Sequence, residues 1–94
     1  MSQDYFDLKG KTALITGASS GLGAHFASLL ANEGVHVIIA ARRTDRLHEQ
    51  LELIKAQGGS ARAMAMDVTD NESVLKGFES IAHTEGRLDI LVNN

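Results

Sequence analysis

The stretch TALITGASSGLGAHF, residues 12–26, decides the fold. An apolar, β-prone run from Thr12 to Thr16 stops at Gly17, Gly21 and Gly23 follow, and a helical pattern opens at Leu22. Glycine inside a helix costs roughly 0.5–1 kcal/mol relative to alanine, so glycines clustered here mark a backbone that must be bare. A strand turning sharply into a helix leaves the first helical amides without partners. It also sets the positive end of the helix dipole there, and the two together make an anion site. Gly17 permits the turn, Gly21 removes the side chain that would hold a diphosphate off the backbone, and Gly23 lets the helix lie close to the strand. Ser19 and Ser20 offer hydroxyls to phosphate or ribose, and Leu22 offers its amide. No Gly-Lys-Ser/Thr follows, which excludes a Walker-type loop, while S-adenosylmethionine stays open as an alternative ligand.

Outward from the loop, apolar runs and helical periods alternate. Leu22, Phe26, Leu29 and Leu30 repeat as one helix face, with Gly34 as the stop. VHVIIAA (35–41) reads as a second strand, and Thr44 caps a helix with Leu47, Leu51 and Ile54 on one face and Gly58-Gly59 at its end. ARAMAMDV (61–68) is a third, alanine-rich strand with Met64 and Met66 as core filler. Thr69 with Glu72 forms a capping box, Val74, Phe78 and Ile81 give the next buried face, and Gly86 ends that helix. LDILV (88–92) is a fourth strand. Strand and helix alternating in this way predict a parallel, doubly wound sheet of order 3-2-1-4, with the first two helices on one face and the third on the other. LDILV would then be an apolar edge, an aggregation hazard unless something pairs with it. Residues 1–94 are therefore expected to be the N-terminal dinucleotide-binding part of a single Rossmann-type domain whose remainder is absent.

The end of the second strand carries the cofactor signal. A site selective for NAD places Asp or Glu there, about 20 residues after the loop, on the ribose 2′-hydroxyl. Here Ala41 occupies that place and Arg42-Arg43 follows. A carboxylate would repel a 2′-phosphate, whereas a guanidinium donates charge-assisted hydrogen bonds to it. Arg42, with Arg43 beside it, thus points to NADP, with NAD as the alternative.

Composition narrows the class. A net charge of −3 gives no basic footprint for nucleic acid or an anionic membrane. Cysteine is absent, so no disulfide framework or thiolate metal site exists, and His25, His36, His48 and His83 lack metal-ligand spacing. The polar, acidic start MSQDYFDLKGK has neither the basic start nor the apolar stretch of a signal peptide, and no apolar run approaches the roughly 18 residues of a membrane span. The expectation is a soluble, cytoplasmic protein without bound metal.

Taken together, these residues resemble the classical short-chain dehydrogenase/reductase family over essentially the whole chain. Thr16-Gly17-Ala18-Ser19-Ser20-Gly21-Leu22-Gly23 is similar to its T-G-x-x-x-G-x-G loop, Asp67-Val68 to its adenine-contacting pair, and Asn93-Asn94 to the first half of N-N-A-G. LKGK at 8–11 resembles the lead-in to the family's first strand, and Arg42 falls where NADP-preferring members carry a basic residue. The resemblance implies that Asp67 faces the adenine amino group, that Asn94 touches the ribose region of the cofactor, and that Asn93 ties the central sheet. It also implies an oxidoreductase that interconverts an alcohol and a carbonyl compound, working as a homo-oligomer, a dimer or tetramer. The family's catalytic Ser and Tyr-x-x-x-Lys have no counterpart here, so no catalytic residue is assigned. Tyr5 and Lys9 share the spacing by chance, because they precede the first strand. A nucleotide-binding module without chemistry, or a fragment without activity of its own, is the competing reading.

Overall fold

β1 (Thr12–Thr16), α1 (Gly21–Asn32), β2 (His36–Ala41), α2 (His48–Ala56), β3 (Ser60–Ala65), α3 (Asn71–Thr84) and β4 (Ile90–Asn93) follow one another in the computed structural model, which describes residues 8–19 and 21–94. The four strands form one parallel sheet in the order β3-β2-β1-β4, as the alternation requires. Ile15 sits opposite Ile39 on one side and Val92 on the other, which fixes the register at the centre.

Successive side chains on a strand point to opposite faces, and here both faces are covered. Ala13, Ile15, Val37 and Ile39 join Ala27, Leu47 and Ile54 in one core layer. Leu14, Ile38 and Ala40 join Met64, Met66 and Ile81 in the other. That double cover explains why β1 and β2 read as continuous apolar runs. Each fully buried Leu, Ile or Val contributes roughly 1.5–3 kcal/mol, so the two central strands dominate the stability.

Helix packing departs from the sequence pattern in an informative way. The buried face of α1 is Gly23, Ala27 and Ala31, while Leu22, Phe26 and Leu29 are exposed. A Cβ on Gly23 would stand 2.7 Å from the carbonyl oxygen of Gly17, so the helix rests on the loop with room only for small side chains. Of the expected stripe Leu30 packs against the core, and the other contact positions go to small residues because close approach decides the contact. In α3 the expected Val74 and Ile81 do pack on the sheet, together with Gly77, and of that face Phe78 alone is exposed. Residues Thr44–Leu47 form a 3₁₀ turn before α2, so Thr44 opens that turn and caps nothing. Asp70, not Thr69, caps α3, accepting from the amide of Glu72 at 3.1 Å. β3 ends at Ala65 because its ladder partner β2 ends at Ala41. β4 begins at Ile90, since the Asp89 carboxylate is drawn to the amide of Thr12 (2.9 Å) and to Arg87, which holds its pKa down at about 2.

At the amino end of the sheet a polar cluster joins distant elements. The Glu85 carboxylate accepts from Arg62 Nε (2.7 Å) and Nη2 (2.9 Å), and His36 Nε2 lies 2.9 Å away. His36 Nδ1 meets Ser60 Oγ at 2.6 Å, and Arg62 also reaches Ser80 Oγ. Arg62, foremost, and then His36 hold the Glu85 carboxyl below its ordinary pKa despite its burial. A carboxylate with a depressed folded pKa adds stability that is complete above its unfolded value and is lost as pH falls through the folded one. Urea melts from about pH 7 down to about pH 3 should therefore show stability falling through the carboxylate range, with Glu85→Gln flattening that profile and costing about 1–3 kcal/mol near neutrality. A variant with the same slope as the parent would remove Glu85 from the account.

Candidate functional site

All four strands run the same way, so their carboxyl ends and the loops that follow lie on one edge. The crevice outside those ends, where the strand order reverses between β1 and β4, is where open α/β sheets bind ligands. Thr16 anchors that edge. Its Oγ1 donates to Asn93 Oδ1 at 2.8 Å and accepts from the amide of Asn94 at 3.3 Å. Asn94 Nδ2 then donates to the carbonyl of Gly17 at 3.2 Å. Asn93 thus ties β4 to β1, as the resemblance implied, and Asn94 is stapled to the glycine loop.

The loop geometry follows from its glycines. Gly17 has φ +63°, and a Cβ there would sit 2.7 Å from the backbone oxygen of Asn94. Gly21, the first residue of α1, has nothing within 4 Å of where its Cβ would stand, so its backbone faces open space. Leu22 lies exposed on the first turn, and Gly23 is buried against the loop. Ser20 lies outside the described residues.

Two adjoining clefts meet the loop. The first, about 380 Å³, is lined by Gly17, Ser19, Arg42, Asp67, Val68 and Asn94 among others. The second, about 560 Å³, is lined by Ser19, Ala41, Arg42, Arg43 and Arg46. The sheet edge thereby gathers six of the expected residues from four segments into one cleft, and Ser19 and Arg42 connect it to the next. Gly21, Leu22 and Gly23 stand at the head of α1 and line neither cleft.

Asp67 and Val68 lie beyond the end of β3 rather than within it. The loop that carries them is held by its own hydrogen bonds. Asp67 Oδ1 accepts from the amide of Thr69 at 3.0 Å and from its hydroxyl at 2.6 Å, and the Asp67 amide donates to Ser73 Oγ. The Thr69 hydroxyl and amide lower the Asp67 pKa, and the charge of Arg42 adds to them, so the carboxylate is ionised at neutral pH.

The arginines after β2 differ from one another. Arg43 is held by Asp45 through Nη2 (2.8 Å) and Nε (3.3 Å). Among the described residues, the side chains of Arg42 and Arg46 have no hydrogen bond or ion pair. Sequence reading missed Arg46 because a regular helix was expected from Thr44. The available signal was a third arginine three residues after Arg43, close enough in the chain to reach the same cleft. Among the described residues no cluster of His, Asp and Glu could hold a metal ion, and no helix is long and apolar enough to cross a membrane.

Comparison with known proteins gives a concordant picture. A family model described as short chain dehydrogenase matches residues 11–94. A 7alpha-hydroxysteroid dehydrogenase of Clostridium sardiniense is 40% identical over 87 residues, covering 93% of this chain and 33% of that protein. The structure of L-sorbose reductase from Gluconobacter frateurii, complexed with NADPH and L-sorbose, superposes with a TM-score of 0.87 at 42% identity, over 95% of this chain and 35% of that one. A metagenomic short-chain oxidoreductase in complex with NADP superposes with a TM-score of 0.91 at 35% identity, over 95% and 40%. The chain spans about a third of the length of the curated relatives it matches.

Proposed function

The chain belongs to the short-chain dehydrogenase family, and on that premise we propose that it holds NADP(H) for an oxidoreductase interconverting an alcohol and a carbonyl compound. Arg42 carries this reading: it lies just past β2 in the cleft shared with the glycine loop, where a 2′-hydroxyl-binding carboxylate would otherwise be needed. The residues fit the cofactor. The bare backbone at Gly21 leaves space for a diphosphate, and the amides of Gly21, Leu22 and Gly23 begin a helix and have no intrahelical acceptor. Gly17 and Gly23 shape that approach, and Ser19 and Ser20 supply hydroxyls. Arg42 donates to the 2′-phosphate, Asp67 accepts from the adenine amino group beside Val68, and Asn94 meets the ribose side. When bound, the nicotinamide gives or takes the hydride, and the protein orients it.

Residues 1–94 form the N-terminal part of one domain in this reading. Two observations support it: among the described residues β4 pairs with β1 alone, and Leu91 on it, with Phe78 and Val68 beside it, is exposed. Proton transfer then falls to residues outside these 94. Titrating the full-length protein with NADPH and NADH by nucleotide fluorescence tests the cofactor assignment. NADPH should bind at least about tenfold more tightly, the scale of one charge-assisted hydrogen bond. Equal affinities would overturn the NADP assignment, and no binding of either would overturn the site.

A further inference from the structure

Resting on the nucleotide reading above, we infer that Arg46, on the 3₁₀ turn after β2, is the second cation of the 2′-phosphate subsite, and that Asp45 withholds Arg43 from that role.

Arg42, Arg43 and Arg46 line one cleft together with Ser19. Their charges are not equally available. The Arg43 guanidinium spends two of its donors on the Asp45 carboxylate, at 2.8 and 3.3 Å, and the pair is close to neutral. Arg42 and Arg46 make no hydrogen bond or ion pair among the described residues; Asp67 acts on Arg42, and Asp45 on Arg46, only through space. The cleft therefore presents about two unpaired positive charges, from Arg42 and Arg46. A phosphate monoester carries about −1.5 to −2 at neutral pH, with its second pKa near 6, whereas a diester or a hydroxyl offers one charge or none. The complementarity selects a terminal phosphate such as the one that distinguishes NADP from NAD.

The fold explains why Arg46 is fixed there. Leu47, the next residue, is fully buried in the core, which pins the end of the turn. The amide of Arg46 donates to the carbonyl of Arg43 at 3.3 Å, closing the turn and carrying Arg46 back toward Arg42. Arg43 stands just before the turn in an extended conformation (φ −118°, ψ 111°), with its guanidinium turned to Asp45, whereas Arg46 lies within the turn.

The test uses the full-length protein and three probes: NADPH, NADH and adenosine 2′,5′-bisphosphate, measured by calorimetry. Arg46→Gln should weaken NADPH and the bisphosphate by about tenfold or more and leave NADH unchanged, the retained NADH binding showing an intact fold. Arg43→Gln should change each by less than about threefold, as an exposed pair predicts. Asp45→Asn should tighten NADPH by freeing Arg43. In the parent, the preference for NADPH should shrink as pH falls through about 6 and the monoester gains its second proton. A parent that prefers NADPH but loses it in Arg43→Gln and not in Arg46→Gln would overturn this assignment alone. A parent with no preference would overturn the NADP reading beneath it.

Discussion

Gly17→Ala is expected to destabilise the fold by about 2–5 kcal/mol, read as a drop in the urea midpoint, and to abolish tight NADPH binding. Two independent costs add. The φ of +63° is left-handed, a conformation that costs an L-residue about 1–2 kcal/mol. The new Cβ would also stand 2.7 Å from the backbone oxygen of Asn94, so the end of β4 must move, at the cost of overpacking, about 1–3 kcal/mol. Against a total of about 5–15 kcal/mol for a typical domain, that loss is large. Gly21→Ala is the informative contrast. Its φ of +60° brings the same conformational cost, but its Cβ meets nothing within 4 Å. Stability should fall by only about 1–2 kcal/mol, while NADPH affinity should fall steeply if, as proposed, the diphosphate lies against that bare backbone. Equal stability losses in the two variants would refute the close-approach argument.

Arg42→Asp should invert cofactor preference. Losing the guanidinium removes charge-assisted hydrogen bonds of about 1.5–3 kcal/mol, and the carboxylate both repels the 2′-phosphate and accepts from a 2′-hydroxyl. The ratio of NADH to NADPH dissociation constants should fall by roughly a hundredfold or more. Because Arg42 is exposed and outside the ladder, the melting transition should stay within about 0.5 kcal/mol of the parent. An unchanged ratio would take Arg42 out of the subsite.

What could be read from the sequence, and what could not, follows from the physics of each feature. The sheet order was legible because β1 and β2 must be apolar on both faces, and only a doubly covered parallel strand demands that. The glycine loop was legible because Gly17, Gly21 and Gly23 answer backbone constraints that no other residue meets. The place of Arg42, just past β2 and beside the glycine loop, was legible by counting along the unit. The packed stripe of α1 was legible only at Leu30, because periodicity weighs side chains by hydrophobicity and so also favoured Leu22, Phe26 and Leu29, whereas close approach to the loop and the sheet selected Gly23, Ala27 and Ala31. The limits of β3 depended on where its neighbour stopped. The link among His36, Arg62 and Glu85 joins residues 23 and 49 apart, and no local pattern announces it.

The stapling of Thr16 and Gly17 by Asn93 and Asn94 bears on how the glycine loop is held. These bonds join positions about 77 apart in the chain, so closing them carries the loop-closure cost of a long-range contact. The shape of the loop therefore depends on contacts of high sequence separation, and a substitution at either asparagine would be felt at the opposite end of the chain.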